Sequence, residues 1–212
     1  IEGGAYPIYV DMNREIGLRY YPDEETRGSI FAWYDSSNKT IYLNTNKNEA
    51  RFVDESNYLF KNFSKLKDID LLKFSFDTPE TNISGMFEGD ETLTELNFDY
   101  WNLHDVKDMS RMFYGCTGLT ELDLSNFDTY SVNHANMTMK EMFSGCTNLK
   151  KVILTSFDTS CVTNMSSMFE GCKNLKYLNL SSFDTSKVID MSKMFSDCIG
   201  LTYLDLSGFN TS

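Results

Sequence analysis

Apolar residues recur along the C-terminal two-thirds of the chain at fixed offsets, and the whole set of offsets repeats. Counting from Phe169, the unit runs through Cys172, Leu175, Leu178, Leu180, Phe183, Val188 and Met191 and closes on Met194-Phe195 after 26 residues. From Phe143 the same 26-residue step passes through Cys146, Leu149, Val152, Leu154, Phe157, Val162 and Met165. The unit from Phe113 carries Cys116, Leu119, Leu122, Leu124, Phe127 and Val132 but is four residues longer, with the excess between Val132 and Met139. Phe87 leads to Leu93, Leu96, Phe98, Trp101, Leu103, Val106 and Met109, with Asp90 in the cysteine position. A degenerate copy starts at Phe60, with Leu66, Ile69, Leu71 and Phe74 at matching offsets, and the last unit, from Phe195, stops at Phe209-Asn210-Thr211-Ser212, halfway round. An apolar pattern returning at this period marks a solenoid, because one unit cannot bury its own apolar face and must stack on its neighbours.

The spacing inside the unit predicts its shape. Leu175-x-x-Leu178-x-Leu180-x-x-Phe183 reads as a leucine-rich-repeat strand segment in which residues 178 and 180 point inward and residue 179 points out. One such strand per coil, stacked about 4.8 Å from the next, builds a parallel sheet along one side. On the return side, Val188, Met191 and Met194-Phe195 are spaced by about three, which fits a short helical or 3₁₀ segment docking an apolar stripe on the sheet. The Phe-Asp-Thr triplets between them suit corners, since Asp and Thr side chains bond nearby backbone N–H groups in turns. The expected fold is therefore an α/β repeat: a leucine-rich-repeat-like solenoid of about six coils over residues 51–212, with one short parallel strand per coil and short helical or 3₁₀ returns.

The first 50 residues differ. Ala5 to Asp11, Gly17 to Tyr21, Ser29 to Tyr34 and Thr40 to Leu43 are short runs rich in Tyr, Phe and Ile, separated by turn clusters such as Pro22-Asp23-Glu24-Glu25. They predict a small antiparallel β cap over residues 1–50, covering the apolar end of the first coil, with residues 51–63 as the junction.

The unit Met-Phe-x-x-Cys-x-x-Leu-x-x-Leu-x-Leu-Ser-x-Phe-Asp-Thr-Ser-x-Val-x-x-Met-Ser, carried almost without departure by residues 167–195, resembles the BspA-like leucine-rich-repeat surface proteins of bacteria, catalogued as domain of unknown function 285. The likeness covers about residues 55–212, and the lead-in Leu18-Arg19-Tyr20-Tyr21 with Arg27-Gly28-Ser29 adds to it. The resemblance implies a secreted or wall-attached location and adhesion to host or bacterial partners.

Charge limits the partners. A net charge of −12 argues against nucleic acid and against anionic membrane surfaces. No run approaches the ~18 apolar residues of a membrane span, so no membrane insertion is expected of this chain. The chain begins at Ile1 and ends in mid-repeat, which suggests an excerpt of a longer protein.

Cys116, Cys146, Cys172 and Cys198 share one repeat position and are expected to stack in a row. A ladder of small buried thiols explains them. Disulfides between neighbouring rungs are the rival, because one coil step lies within the reach of such a bridge. A row cannot surround one tetrahedral zinc ion, and no Cys-x-x-Cys pair is present. Cys161 stands alone at a corner. The two histidines, His104 and His134, fall in different coils with no nucleophile pattern beside them, so no catalysis is expected. Asp128, Asp158 and Asp184 align along the coils, but a calcium site needs about six to eight converging oxygens, and each is better placed to serve its own turn. No cofactor is implied.

A binding role falls to the outward strand residues. The position between the inner leucines holds Asp70, Asn97, Asp123, Ile153, Asn179 and Asp205, and the position two before it holds Asp68, Glu95, Glu121, Lys151, Tyr177 and Tyr203. Side by side they make a face, acidic at one end and tyrosine-bearing at the other. Glu95, Glu121, Asp123, Lys151, Tyr177, Asn179, Tyr203 and Asp205 are its candidate ligand-binding residues; His134 and Asn136, in the inserted loop, are a second candidate. Paired aromatics on a rigid sheet suit protein hot spots or sugar rings, so an extracellular protein or glycan is the expected partner. The competing readings are an ordinary solvated face on a structural spacer, and an enzyme needing a converging pocket near His104, His134 or Cys161.

Overall fold

The structure, a computed structural model, describes residues 57–63, 81–96, 98, 103, 106–127, 129 and 136–210, together with the strand backbones at 30–35, 40–45, 50–51, 68–70 and 74–75. β1 (Ile30–Asp35) and β2 (Thr40–Thr45) pair antiparallel, Ile30 opposite Thr45 and Asp35 opposite Thr40. These are the two later runs of the expected cap; the two earlier ones lie outside the described residues. β3 (Ala50–Arg51), β4 (Asp68–Asp70) and β5 (Phe74–Ser75) follow, β4 lying parallel beside β2 and β5 parallel beside β3.

From residue 81 the chain lays down β6 (Thr81–Asn82), β7 (Val106–Asp108), β8 (Glu121–Asp123), β9 (Met137–Thr138), β10 (Lys151–Ile153), β11 (Val162–Asn164), β12 (Tyr177–Asn179) and β13 (Tyr203–Asp205). They sort into two parallel sheets, one in the order β8-β10-β12-β13 and the other β6-β7-β9-β11. The expected strand is thus present in each of the four repeats from Phe113 onward, and a second strand per repeat, around Val106, Met137 and Val162, was not anticipated. Two strands of the anticipated face are missing from that sheet: β4 pairs with β2 instead, and Glu95 lies outside any strand.

The expected helical returns are corrected. Among the described residues there is no α- or 3₁₀-helix. The Met-Phe segment is a ladder of turns whose N–H groups alternate between two kinds of acceptor. Arg111, Phe113 and Gly115 donate to the carbonyls of Lys140, Met142 and Ser144 in the next repeat at 2.8–2.9 Å, whereas Met112, Tyr114 and Cys116 donate to Met109, Arg111 and Phe113 in their own at 3.0–3.3 Å. A helix would consume every N–H internally; this ladder spends half of them on the neighbouring repeat. Its geometry needs two left-handed residues per repeat, four apart: Arg111 and Gly115 have φ of 59° and 70°, Ser167 and Gly171 55° and 74°, Lys193 and Asp197 57° and 57°. The spacing of three that imitates a helix is the spacing of the internal turn bonds.

A β-carbon added at Gly171 meets nothing nearer than 3.7 Å, so only its φ opposes substitution. Gly171→Ala is expected to lower stability by about 1 kcal/mol, and Ser167→Gly to raise it by a similar amount, both read by urea denaturation.

The core runs through all the repeats. Phe60, Phe87, Phe113, Phe143, Phe169 and Phe195 stack in one column with ring centroids 5.3–6.1 Å apart and planes within 14° of parallel. A second column contains Phe98, Phe127 and Phe157. Leu119, Leu122 and Leu124 and their equivalents in the next two repeats are buried as the alternation predicts, while Leu201, Leu204 and Leu206 of the last repeat are half-buried or exposed. At the described corners the Asp of Phe-Asp-Thr accepts a local N–H, Asp158 from Ser160 and Asp184 from Ser186 at 2.9 Å, and Asp128 lies outside the described residues. The buried Thr reaches further than a local turn. Thr159 Oγ1 donates to the Asp184 carbonyl at 2.9 Å and accepts the Asp184 N–H at 2.8 Å, tying one repeat to the next.

Candidate functional site

The parallel register brings four of the predicted residues into one line. Glu121 pairs with Lys151, Lys151 with Tyr177 and Tyr177 with Tyr203, so successive repeats place them as neighbours on the outer face of the β8-β10-β12-β13 sheet. All four are exposed, while Leu122, Val152 and Leu178 beside them point into the core. The tyrosine rings stack face to face, centroids 4.5 Å apart and planes 5° from parallel, and remain 49% and 47% exposed. Large aromatics left half in water on a rigid sheet stand out, since the rest of this sheet buries its apolar side chains.

The stacking also says how the pair can be used. Each ring turns its face to the other, so the surface offered to solvent is a ridge of ring edges and hydroxyls. A sugar cannot lie flat across both rings. Tyr203's hydroxyl has its pKa raised, first by the negative charge of Asp205 and then by Tyr177, so it stays a neutral donor and acceptor.

The second row is committed differently. Asp123, Asn179 and Asp205 end their strands by accepting the N–H groups of Ser125, Ser181 and Ser207 through Oδ1 at 2.9 Å. These side chains stop the strand, and they reach a ligand only through their remaining atoms. Asp205 is held below the usual carboxylate range chiefly by the Ser207 backbone N–H, and Asp123 by its bonds from Ser125. Glu95 is exposed but sits outside the sheet. In the inserted loop, Asn136 is exposed with a left-handed φ of 77°, and the chain re-enters the second sheet at once as β9; His134, like His104, lies outside the described residues.

A charged cluster that the sequence reading missed occupies the turn side. Arg111 grips Glu88 with Nε and one terminal nitrogen at 3.0 and 2.8 Å, and its other terminal nitrogen meets Glu141 at 2.6 Å. Lys61 adds a contact to Glu88 at 3.0 Å, and the guanidinium lies 3.9 Å from the centre of the Tyr114 ring. Hydrogen bonding from Arg111 holds the Glu88 carboxyl below the ordinary range. The cluster bridges successive repeats and satisfies itself. The repeat register could have revealed it, because Lys61, Glu88 and Tyr114 each follow the column Phe and Arg111 and Glu141 each stand two residues before it.

The thiols form the expected row: Cys116, Cys146, Cys172 and Cys198 are free, and each Sγ donates to the carbonyl of the preceding repeat's Phe at 3.0–3.2 Å. Burial pushes the first three thiols well above their usual pKa, so they are held as thiols and are poor nucleophiles. Asp90 stands at the same position one repeat earlier. Its Oδ1 accepts the Phe63 N–H at 2.6 Å, its Oδ2 is buried without a partner, and burial raises its pKa to about 9. Cys161 is half-buried with the Lys187 ammonium 3.9 Å from its sulfur. Among the described residues no three His, Cys, Asp or Glu side chains converge as metal ligands, and no helix is long and apolar enough to cross a membrane.

No curated protein matches this chain significantly. A family profile described as "Mycoplasma protein of unknown function, DUF285" matches it twice, over residues 30–138 and 137–212, so that the two matches together span the repeats and the β1–β2 hairpin. The chain belongs to that family.

Proposed function

We propose that this chain is a non-catalytic binding module of a bacterial surface or secreted protein, a BspA-like leucine-rich-repeat solenoid that engages an extracellular protein or glycan through its strand face. The observation that carries the reading is the Tyr177–Tyr203 pair, stacked and half exposed on a sheet whose register is fixed by backbone pairing. Rigid amphipathic rings supply contact area at little entropic loss, which is why tyrosine dominates recognition surfaces. On the turn side, Glu88, Arg111 and Glu141 close their charges on one another.

The test is binding of the chain to a panel of extracellular-matrix proteins and glycans, beside Tyr177→Ala/Tyr203→Ala/Glu121→Ala. These side chains are exposed, so the variant is expected to fold with unchanged circular dichroism and to lose binding by about a hundredfold, as loss of hot-spot side chains does. Binding indifferent to the three changes, or absent from the whole panel, refutes the strand-face module and favours a spacer that holds another domain away from the cell.

A further inference from the structure

Exposed lysines gather on the strand face. On the turn side Lys61, Arg111 and Lys140 are in ion pairs, while Lys193 is exposed and in none among the described residues. On the strand face and its entry turn, Lys150, Lys151, Lys173 and Lys176 are exposed, and none is in an ion pair among the described residues. Lys150 and Lys176 are adjacent across repeats, the Lys176 N–H donating to the Lys150 carbonyl at 3.5 Å, and Lys151 is the direct register neighbour of Tyr177. The acids of the same face lie one repeat to either side: Glu121 and Asp123 before, Asp205 after. A band of positive charge two repeats wide therefore borders the tyrosine ridge in a chain whose net charge is −12.

From this band we infer that the strand face recognises a sparsely charged anionic glycan, one whose carboxylate sits on a terminal sugar. The inference rests on the strand face being the binding surface and specifies its ligand. Lysine is depleted from protein–protein interfaces, where its hydrated ammonium is costly to bury, so a tyrosine pair ringed by free lysines is better suited to a wet contact with an anionic group. The ridge supplies two hydroxyls and the ring edges for the oxygens and C–H groups of a sugar. Density of charge is limited by the remainder of the chain. At low salt, where the Debye length reaches about 30 Å, the surrounding acids repel a long polyanion, while a single carboxylate held among the lysines escapes most of that field.

The probes are sialyllactose, its neutral parent lactose, and heparin as a dense polyanion, titrated by NMR against the intact chain, Lys150→Gln/Lys151→Gln/Lys176→Gln and Tyr177→Ala/Tyr203→Ala. The expected result is binding of sialyllactose over lactose, weakened about tenfold by the lysine changes as expected for three exposed charge contacts, and weakened by raised salt. Equal binding of the two small sugars, indifference to the lysine changes, or tighter lysine-dependent binding of heparin overturns the ligand assignment. Failure of all three glycans with retained, tyrosine-dependent binding of a matrix protein overturns this inference and leaves the strand-face module standing. Loss of both kinds of binding overturns both.

Discussion

Phe143→Ala is expected to lower the stability of the folded chain by about 3–5 kcal/mol, the range for truncating a fully buried phenylalanine. The ring is wholly buried and stacks on Phe113 at 5.6 Å and on Phe169 at 5.3 Å, so its loss opens a cavity and interrupts the longest aromatic column at its middle. In a chain of this length that corresponds to a fall in melting temperature of roughly 8–15 °C. Stability in stacked repeats is carried by nearest-neighbour contacts, so the break should also uncouple the two sides and broaden the thermal transition. Phe195→Ala, at the half-exposed end of the column, should cost distinctly less and leave the transition sharp. Calorimetry of the two variants decides the matter, and equal losses would mean that the column does not transmit stability between repeats.

The second large effect lies at Asp90. In the folded chain this carboxyl keeps its proton up to about pH 9, because it is buried and only one oxygen is hydrogen-bonded; in the unfolded chain it loses the proton near pH 4. Between those values the folded state holds one more proton than the unfolded, so stability from this group is fully present below pH 4 and is lost as pH rises toward 9, by at most about 1.4 kcal/mol per unit. Asp90→Cys restores the residue that the next repeats carry. A thiol there can accept the Phe63 N–H and donate to the preceding carbonyl with one uncharged atom, as Cys116 donates to Phe87. The variant is expected to be more stable than the parent at pH 8 and to lose most of this slope, as measured by urea midpoints from pH 5 to 9. A slope unchanged by the substitution would assign it to other groups.

Much of the architecture was legible because repetition amplifies it. Leu178 and Leu180 alternate as a strand must, and identical offsets in neighbouring units place Phe on Phe, Cys on Cys and Tyr177 beside Tyr203 before any coordinate is known. The return segment was misjudged because a spacing of three fits both a helix and a chain of i→i+3 turns. The discriminating signal was present: Gly115, Gly145 and Gly171 each precede the cysteine, and the same site holds Asn62 and Asp197, the other residues that tolerate a left-handed φ. A helix has no use for glycine there. The second sheet went unread because its strands, two or three residues long, carry no flanking pair of alternating leucines such as Leu178 and Leu180.

The candidate site was legible as a row of residues and not as a surface. Sequence alone could align Tyr177 with Tyr203, but edge-on presentation depends on the rotamers, and the strand-ending bonds of Asp123, Asn179 and Asp205 depend on a serine two residues on. The strand-face lysines acquired meaning only when the register placed Lys151 beside Tyr177 and Lys150 beside Lys176. In the sequence Asp90 is only the residue that stands in the cysteine position. Burial turns it into a titrating group.

The central claim is that partners meet the strand face and not the turn face, and tyrosine labelling reports on both at once. Tyr177 and Tyr203 stand on the strand face at 49% and 47% exposure, while Tyr58, 43% exposed, stands on the turn face with Lys61 4.5 Å from its ring. Nitration with tetranitromethane, read by peptide mass spectrometry with and without a saturating bound partner from the binding panel, should show protection of Tyr177 and Tyr203 and none of Tyr58. Protection of Tyr58 with the strand-face pair labelled as freely as in the unbound chain would contradict the account.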